Sequence, residues 1–243
     1  MLILHTNNST NANMATDSTK RPVLILGAGG MLGQDLAKDF ADAEPACWDR
    51  EDCDLTDYDD VADLCVSLYK QAAGASRIVA ATNKLVDLIN HKCQQELNYD
   101  SEQLSYEDKA EGGTVYDSLY QNDPVLFTQN NYDLGVQNGS LGTLVSVAHS
   151  GEYVGQVVLD DGADVIDISF TVLMSLKAGY AMTLHKAQGS QFPTVIIALT
   201  SGSNLDRSWL YTAITRAEYN VHIVGPREKV ESTITKVSNI SYR

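Results

Sequence analysis

In the first third of the chain, short apolar runs alternate with longer stretches in which apolar and polar residues are mixed. Short apolar runs predict buried strands, and longer stretches with apolar residues three or four apart predict helices. The predicted elements are a strand at 23–26, helices at 31–43 and 61–73, a strand at 77–81, and a helix at 83–96 with Thr82 as its N-cap. Residues 47–60 are expected to be irregular and 98–113 to form a polar loop. This order is typical of an α/β domain.

The middle of the chain has a different pattern. Short β-rich runs occupy 124–128, 142–148, 153–159 and 165–170. Turn signals separate them, including Asn138-Gly139 and Asp161-Gly162, and such dipeptides favour β-hairpins. We therefore expect a small barrel-like β insertion within the α/β frame.

Strand and helix patterns alternate again after residue 174. The predicted elements are helices at 175–188, 206–217 and 226–238, and strands at 194–199 and 221–224. The expected architecture is an α/β domain with a β-rich insertion at about 114–172.

Charge is distributed unevenly along the sequence. The net charge is −15, yet residues 171–243 carry eight Lys/Arg and four Asp/Glu. An acidic protein binds nucleic acid poorly unless cations cluster locally, because phosphate contacts require positive charge. The C-terminal part could supply such a local cluster. The alternative is that the acidity only keeps the protein in solution.

Cysteine usage and hydropathy narrow the class of protein. The chain has four cysteines, Cys47, Cys53, Cys65 and Cys93. Their spacing matches neither a zinc site nor a disulfide framework. We expect reduced structural thiols, no metal site and a cytoplasmic protein. No apolar run approaches the roughly 20 residues of a membrane span, so no membrane partner is expected. Residues 1–20 lack the apolar centre of a signal peptide and are interpreted as a disordered leader.

A glycine-rich turn follows the first predicted strand. Gly27, Gly30 and Gly33 lie between that strand and the next helix, where glycines allow close approach of backbone to a pyrophosphate. Asp49 lies about 20 residues further on, as expected for a carboxylate that binds a ribose hydroxyl. These residues are candidates for a dinucleotide site. The alternative is a turn with a structural purpose only.

Residues 22–57 resemble the start of a dTDP-4-dehydrorhamnose reductase, an extended short-chain dehydrogenase. The likeness lies in Gly27-Ala-Gly-Gly-Met-Leu-Gly33 and in Asp54-Leu-Thr-Asp57. It implies an N-terminal Rossmann-like βα fragment over 21–60 and NADP as a possible cofactor. That family also carries a catalytic Tyr-x-x-x-Lys, and no Tyr in this sequence has Lys four positions after it. The resemblance therefore does not extend to reductase chemistry.

Two polar segments near the C-terminus concentrate groups that can bind phosphate. Thr183, His185, Lys186, Gln188 and Ser190 offer hydroxyl, imidazole, ammonium and amide donors within one short segment. Arg216 follows a short predicted helix and offers a planar guanidinium. Taken singly, His185 could be a core histidine, Lys186 a solvated charge, and Arg216 a surface ion pair with Glu218 or Asp206. Their joint order and spacing favour a functional site.

The chain from Ser76 onward resembles the C-terminal motor domain of RecD-like superfamily 1 DNA helicases. The likeness rests on four ordered segments, at 77–90, 122–142, 183–192 and 210–218. It implies a RecA-like parallel sheet with helices on both faces, interrupted by a small SH3-like β-barrel. It also implies contacts to single-stranded DNA in the 183–190 segment and a contact from Arg216 to the ATP γ-phosphate. The further nucleotide-binding residues it implies are Asn130, Asn131, Tyr132, Gly189 and Gln191.

The sequence departs from that pattern in several places. In the 183–192 segment, Gln191 occupies the position where these helicases usually have an acidic residue. Gln129, which precedes Asn130-Asn-Tyr132, occupies a position that is often basic in the family. No Gly is followed by Lys, so no G-x-x-x-x-G-K-[ST] loop cradles phosphates. No Asp-Glu dipeptide is present to bind Mg²⁺ and activate water. ATP and Mg²⁺ are therefore expected only together with a separate P-loop domain or subunit, and the isolated chain is expected to be incomplete as an ATPase.

The sequence leaves three hypotheses open. The first is a helicase C-terminal motor domain over 61–243, able to bind single-stranded DNA but inactive alone. The second is an NAD(P)-binding protein related to the reductase, with a foreign C-terminal part. The third is a non-enzymatic module that binds DNA or a partner protein.

Overall fold

The computed structural model describes residues 24–26, 46–48, 55–72, 76–107, 113–148, 151–160, 162, 165–201 and 204–236. The chain divides into two compact units, one formed by Met1–Leu85 with Ser190–Arg243 and the other by Val86–Gly189. The helices are α1 (Tyr58–Gln71), α2 (Asn83–Leu97), α3 (Phe170–Leu173), α4 (Arg207–Ile214) and α5 (Arg227–Thr235). The strands are β1 (Leu24–Leu26), β2 (Ala46–Trp48), β3 (Ser76–Ala80), β4 (Gln103–Glu107), β5 (Thr114–Tyr120), β6 (Pro124–Phe127), β7 (Leu141–Val147), β8 (Tyr153–Leu159), β9 (Val165–Ser169), β10 (Leu176–Ala178), β11 (Ala181–Thr183), β12 (Phe192–Ala198) and β13 (Ala217–Val224).

The first unit is built around a parallel sheet. Strand β12 pairs in parallel with β3 on one side and with β13 on the other. Its residues from Thr194 to Ala198 are all buried, as expected of a parallel strand covered on both faces. The register shifts next to Pro193, which has no N–H to donate to a ladder. Helix α1 packs on β12 through an apolar face that includes Val61, Leu64 and Leu68.

Strands β1 and β2 form a second, short parallel pair in the first unit. Ile25 lies opposite Cys47 in this pair. The prediction of a strand at 23–26 is confirmed. The prediction that 47–60 is irregular is wrong at both ends, because β2 occupies 46–48 and α1 begins at Tyr58. Asp57 explains the second error, since its carboxylate accepts the N–H of Asp59 and caps the helix.

The second unit is built around an antiparallel sheet of five strands. Their order is β10-β6-β7-β8-β9, and β4 and β5 form a separate antiparallel hairpin. One apolar core includes Leu104 from the hairpin together with Phe127, Leu144 and Val157 from the sheet. The predicted strands at 124–128, 142–148, 153–159 and 165–170 are all present within one residue of their ends. The architecture is therefore mixed α/β, with parallel sheets in the first unit and antiparallel sheets in the second.

The predicted helix at 175–188 is wrong. This segment contains β10, β11 and a turn instead. Gly179 shows why, because its N–H donates to Pro124 O at 2.7 Å and an added Cβ would lie 3.0 Å from the Val125 carbonyl carbon. Close backbone packing against β6 therefore prevails over the helical spacing of the sequence.

The predicted polar loop at 98–113 is also wrong in part, because β4 occupies 103–107. All residues of this strand except Leu104 are polar or charged, so it lacks an obvious apolar stripe. Leu104 is nonetheless completely buried, and the Tyr106 ring packs edge-on against Phe170 at 5.1 Å between centroids. Tertiary contacts therefore stabilise a strand that local sequence does not predict. The helices that the structure describes are all too short or too polar to span a lipid bilayer.

Candidate nucleic-acid and nucleotide interface

The turn after β11 carries polar side chains and is held in place by two buried apolar residues. The N–H groups of Lys186 and Ala187 both donate to Thr183 O, at 3.0 and 3.2 Å. Leu184 and Ala187 are buried, whereas His185 and Gln188 are exposed and Thr183 is half-buried. The backbone is thus fixed while the His185 and Gln188 side chains face solvent. His185 is not a core histidine, so that alternative is wrong.

Lys186 lies in a partly desolvated position within this turn. Burial lowers the pKa of its ammonium below the ordinary value of 10.5, and repulsion from Lys177 lowers it further, while Asp87 opposes the shift. Among the described residues Lys186 forms no ion pair. A cation without a carboxylate in contact can accept an anionic ligand at a lower cost than one already paired.

The loop that joins β6 to β7 carries three of the candidate nucleotide-binding residues. Asn130 Oδ1 accepts the Asn138 N–H at 2.7 Å, and Asn130 Nδ2 donates to the Tyr132 hydroxyl at 3.3 Å. Asn131 Oδ1 caps a short 3₁₀ helix over Tyr132–Leu134 by accepting the Leu134 N–H at 3.3 Å. Both amides therefore shape the loop. The Tyr132 side chain is 81% exposed and is the group of this run that is most available for contact.

Gly139 brings this loop against the turn that contains Lys186. Its φ is +102°, and a Cβ added there would lie 3.0 Å from the Lys186 carbonyl oxygen. Its N–H donates to Phe127 O at 2.8 Å. Because only glycine combines this φ with such close approach, Gly139 fixes the distance between the two polar loops of the second unit.

Arg216 is held by backbone oxygens in the first unit. Its guanidinium donates to Ser190 O at 3.2 Å and to Thr212 O at 3.3 Å, and it lies 3.4 Å from the Thr215 hydroxyl. The Phe192 N–H donates to Arg216 O at 2.8 Å. The structure therefore brings Ser190 and Arg216, predicted from two separate segments, into direct contact.

The surface ion pair considered for Arg216 is absent from the described residues. Asp206 caps α4 instead, since its carboxylate accepts the Trp209 N–H at 2.9 Å. Glu218 is exposed and does not contact the guanidinium. An arginine held by neutral carbonyls keeps its full positive charge for an anionic ligand.

The remaining candidates fall into three groups. Gln191 is exposed next to Ser190 in the first unit, and Gly189 is exposed with φ +88° at the end of the second. Thr183, His185, Lys186, Gln188 and Gly189 belong to the second unit together with Asn130–Tyr132, whereas Ser190, Gln191 and Arg216 belong to the first. Gly27, Gly30, Gly33 and Asp49 lie outside the described residues. Within the described part of the chain, no cluster of three or more His, Cys, Asp or Glu could hold a metal ion.

A buried carboxylate that sequence reasoning missed organises the second unit. Asp123 is fully buried and accepts hydrogen bonds from Gln94 at 2.6 Å, Asn98 at 2.7 Å, the Tyr180 hydroxyl at 2.8 Å and the Tyr120 N–H at 2.8 Å. Burial raises the pKa of this carboxyl above 3.8, and the hydrogen bonds oppose that rise. Its place between a turn and the apolar run 124–127 gave no signal, since such aspartates are commonly exposed turn residues.

A second polar clamp connects α2 to the strand that leads into the Lys186 turn. Asn90 Nδ2 donates to Ala181 O at 3.1 Å, and the Ala181 N–H donates to Asn90 Oδ1 at 2.8 Å. Asn90 is buried, so both bonds are shielded from water. Together with the Asp123–Tyr180 bond, this clamp positions residues 180–181, immediately before the candidate DNA-binding turn.

Comparisons with known proteins agree with the helicase resemblance. Residues 178–224 match the model of the UvrD-like helicase C-terminal domain. The RecBCD enzyme subunit RecD of Mycobacterium tuberculosis is 33% identical over 119 residues, which is 48% of this chain and 20% of that protein. The ATP-dependent RecD2 DNA helicase of Deinococcus radiodurans is 34% identical over 97 residues, 39% of this chain and 13% of that protein. The chain thus spans about a fifth or less of the length of these relatives.

A Pif1 helicase structure, of two coordinating helicases at forked double-stranded DNA, aligns with a TM-score of 0.45 and 19% identity over 68% of this chain and 42% of that one. The chain has RecD-like helicase homologues over part of its length, and the predicted resemblance to RecD-like helicases is confirmed.

Proposed function

We propose that this chain is the C-terminal motor part of a RecD-like superfamily 1 DNA helicase. In this role it binds single-stranded DNA and places one arginine at the ATP γ-phosphate. The proposed DNA contacts come from Thr183, His185, Lys186, Gln188 and Ser190. The match of 178–224 to a helicase C-terminal domain includes both candidate segments, which supports assigning them to one function.

The single observation that carries the proposal is the environment of Arg216. Its guanidinium donates to the carbonyls of Ser190 and Thr212 and has no carboxylate partner among the described residues. A rigid planar cation of this kind stabilises the charge that develops on a transferring phosphoryl group. We propose Tyr132, Asn130, Asn131, Gly189 and Gln191 as further nucleotide contacts, with Tyr132 the most accessible of them.

The finer architecture belongs to the same proposal. We assign the parallel sheet of β3, β12 and β13 to a RecA-like domain over 61–243, with helices on both faces. The antiparallel strands between about 114 and 172 are assigned to an SH3-like barrel insertion. The parallel β1–β2 pair, separated by a connection long enough for a crossover, supports a Rossmann-like fragment over 21–60.

ATP hydrolysis is proposed to require a second domain or subunit. The sequence contains no Gly-Lys pair for a P-loop, and the described residues contain no carboxylate cluster for Mg²⁺. We therefore assign phosphate cradling and Mg²⁺ binding to that partner, where the ion would neutralise phosphate charge. This chain contributes Arg216 and the contacts to single-stranded DNA. Cys65 and Cys93 are buried, and reduced buried thiols are typical of the cytoplasmic location that we propose.

The test is binding of a fluorescent oligothymidine to the purified chain at several salt concentrations. We expect salt-sensitive binding that weakens in Lys186→Gln, because this substitution removes one phosphate-directed charge. Lys229→Gln, which removes a partly buried lysine of α5, is the matched control and should bind like the parent. Equal loss in both variants, or no binding by the parent chain, would contradict the proposal.

A further inference from the structure

The second unit is acidic, yet two of its few cations lie together. Residues 86–189 contain fifteen Asp/Glu against four Lys and no Arg. Three of these lysines lie in the described part: Lys92, Lys177 and Lys186. Lys177 and Lys186 are close enough for their charges to repel. In a unit with so many carboxylates, a pair of neighbouring ammonium groups needs an explanation.

The backbone fixes this juxtaposition. Strand β10 pairs antiparallel with β6, so that Lys177 lies opposite Leu126 and Leu176 opposite Phe127. Phe127 O accepts the Gly139 N–H, and Gly139 packs against the Lys186 carbonyl. The same end of β6 therefore positions both lysines.

The electrostatic environment leaves both cations available. Lys177 is exposed, Lys186 is half-buried, and neither forms an ion pair within the described residues. Asp87 is the carboxylate that offsets part of the repulsion at Lys186. Burial and the repulsion from Lys177 both disfavour the charged form of Lys186, so an anion bound beside both ammonium groups would relieve an existing cost at Lys186.

We propose that Lys177 is a second phosphate-binding residue, which together with Lys186 binds the backbone of single-stranded nucleic acid. Lys177 lies outside every segment from which the sequence predicted contacts. A lysine acts as a mobile point charge, which suits a polymer backbone that must be bound without base specificity. This inference rests on the proposed DNA-binding function and deepens it.

The experiment compares four forms of the whole chain: the parent, Lys177→Gln, Lys186→Gln and Lys92→Gln. Each is titrated with a fluorescent oligothymidine between about 50 and 300 mM salt. Lys92→Gln removes the same charge from the same unit, and its lysine is not among the groups that shift Lys186. It therefore serves as the control for the loss of one positive charge elsewhere in the unit.

We expect Lys177→Gln to reduce the slope of log affinity against log salt by about 0.7, as for one phosphate contact on a single strand. At 0.1 M salt this corresponds to a loss of about fivefold in affinity. Lys186→Gln should produce a similar loss, Lys92→Gln less than about twofold, and Lys177→Arg should restore binding. Urea midpoints equal to that of the parent show that the variants are folded.

The outcomes separate this inference from the function on which it rests. If Lys177→Gln binds like Lys92→Gln while Lys186→Gln is weakened, Lys177 is not a contact and the proposed function stands. If the parent shows no salt-dependent binding, the proposed function fails as well. If millimolar inorganic phosphate displaces the oligonucleotide from the parent and from Lys177→Gln equally, the lysine pair does not recognise the polymer.

Discussion

Arg216 in the first unit and Lys186 in the second are both candidate phosphate ligands, and the protein holds them differently. The Arg216 side chain is fixed by hydrogen bonds to two backbone carbonyls. At Lys186 the backbone is fixed by hydrogen bonds, and the ammonium group interacts with Lys177 and Asp87 only through longer-range electrostatics. A fixed guanidinium suits a phosphoryl group that must be contacted at one defined position. A flexible ammonium on a rigid turn suits a DNA strand whose phosphates move past the site during translocation. The difference indicates separate tasks for the two cations.

Removal of Arg216 gives the largest expected effect. The isolated chain should hydrolyse ATP only at background rate. With a separately purified P-loop domain of a RecD-like helicase, DNA-stimulated turnover should appear and fall by about 10³-fold or more in Arg216→Ala, as for loss of an arginine finger. Arg216→Lys should recover little, because it keeps the charge but loses the planar fork.

Steady-state phosphate release measures this effect, and Arg207→Ala is its control. Arg207 is an exposed arginine at the start of α4, so its removal tests for a general loss of positive charge near that helix. Unchanged DNA affinity in Arg216→Ala would show that the two cations have separate tasks. Hydrolysis by the chain alone would contradict the assignment of the P-loop to another domain.

The Asp123 network tests the rigidity of the second unit, on which the Lys186 turn depends. Asp123→Leu leaves buried donors on Gln94, Asn98 and Tyr180 without their acceptor, and should lower the free energy of unfolding by about 3 kcal/mol. Tyr180→Phe removes one donor and should cost about 1 kcal/mol. Urea denaturation measures both values. Equal effects of the two substitutions would show that Asp123 is not the centre of the network.

The same carboxyl should make stability depend on pH. Its folded-state pKa is raised by burial above 3.8, so the native state binds more protons than the unfolded state between 3.8 and that higher value. The contribution of Asp123 to stability is therefore greatest below 3.8 and declines as pH rises through the folded-state pKa. The difference in unfolding free energy between the parent and Asp123→Asn should change in this direction over that window. A difference that grows with rising pH would reverse the sign and show that burial does not dominate the pKa of Asp123.

Gly139→Ala should have a smaller effect than Arg216→Ala or Asp123→Leu, and one that acts on the Lys186 turn. It forces an alanine to φ +102° and places its Cβ against the Lys186 carbonyl, at an expected cost of about 1–2 kcal/mol. Gly151→Ala is the matched control, because Gly151 has φ +116° and no atom within 4 Å of an added Cβ. Both variants should lose thermal stability, and only Gly139→Ala should weaken oligonucleotide binding. Equal binding by both would show that the Lys186 turn does not depend on this contact.

Sequence patterns predicted the fold best where local and tertiary preferences agree. Strand Tyr153–Leu159 was predicted to the residue, because its buried positions form a β-rich run between turns. The Thr82 cap was also confirmed, since its hydroxyl accepts the Leu85 N–H at 3.3 Å. The segment around Gly179 was predicted as a helix because its apolar spacing also fits a helical period, and only packing on β6 distinguishes the two.

The candidate site was predictable in its residue types and not in its contacts. The segments containing Lys186 and Arg216 stood out by composition and order. The hydrogen bond from Arg216 to Ser190 joins residues 26 apart in sequence, and those from Gln94 and Tyr180 to Asp123 join residues 29 and 57 apart. Such long-range partners leave no periodic signal in one sequence, so Asp123 and the Lys177–Lys186 pair emerge only from the fold.

Whether this chain binds DNA by itself is decided by its affinity for a single-stranded oligonucleotide, measured against salt concentration with the Lys186→Gln variant beside it. We expect binding without any P-loop partner, with a negative salt slope that becomes shallower by about 0.7 in the variant. An isolated chain that binds no single strand at low salt, or binds it equally well without Lys186, would contradict the proposed function.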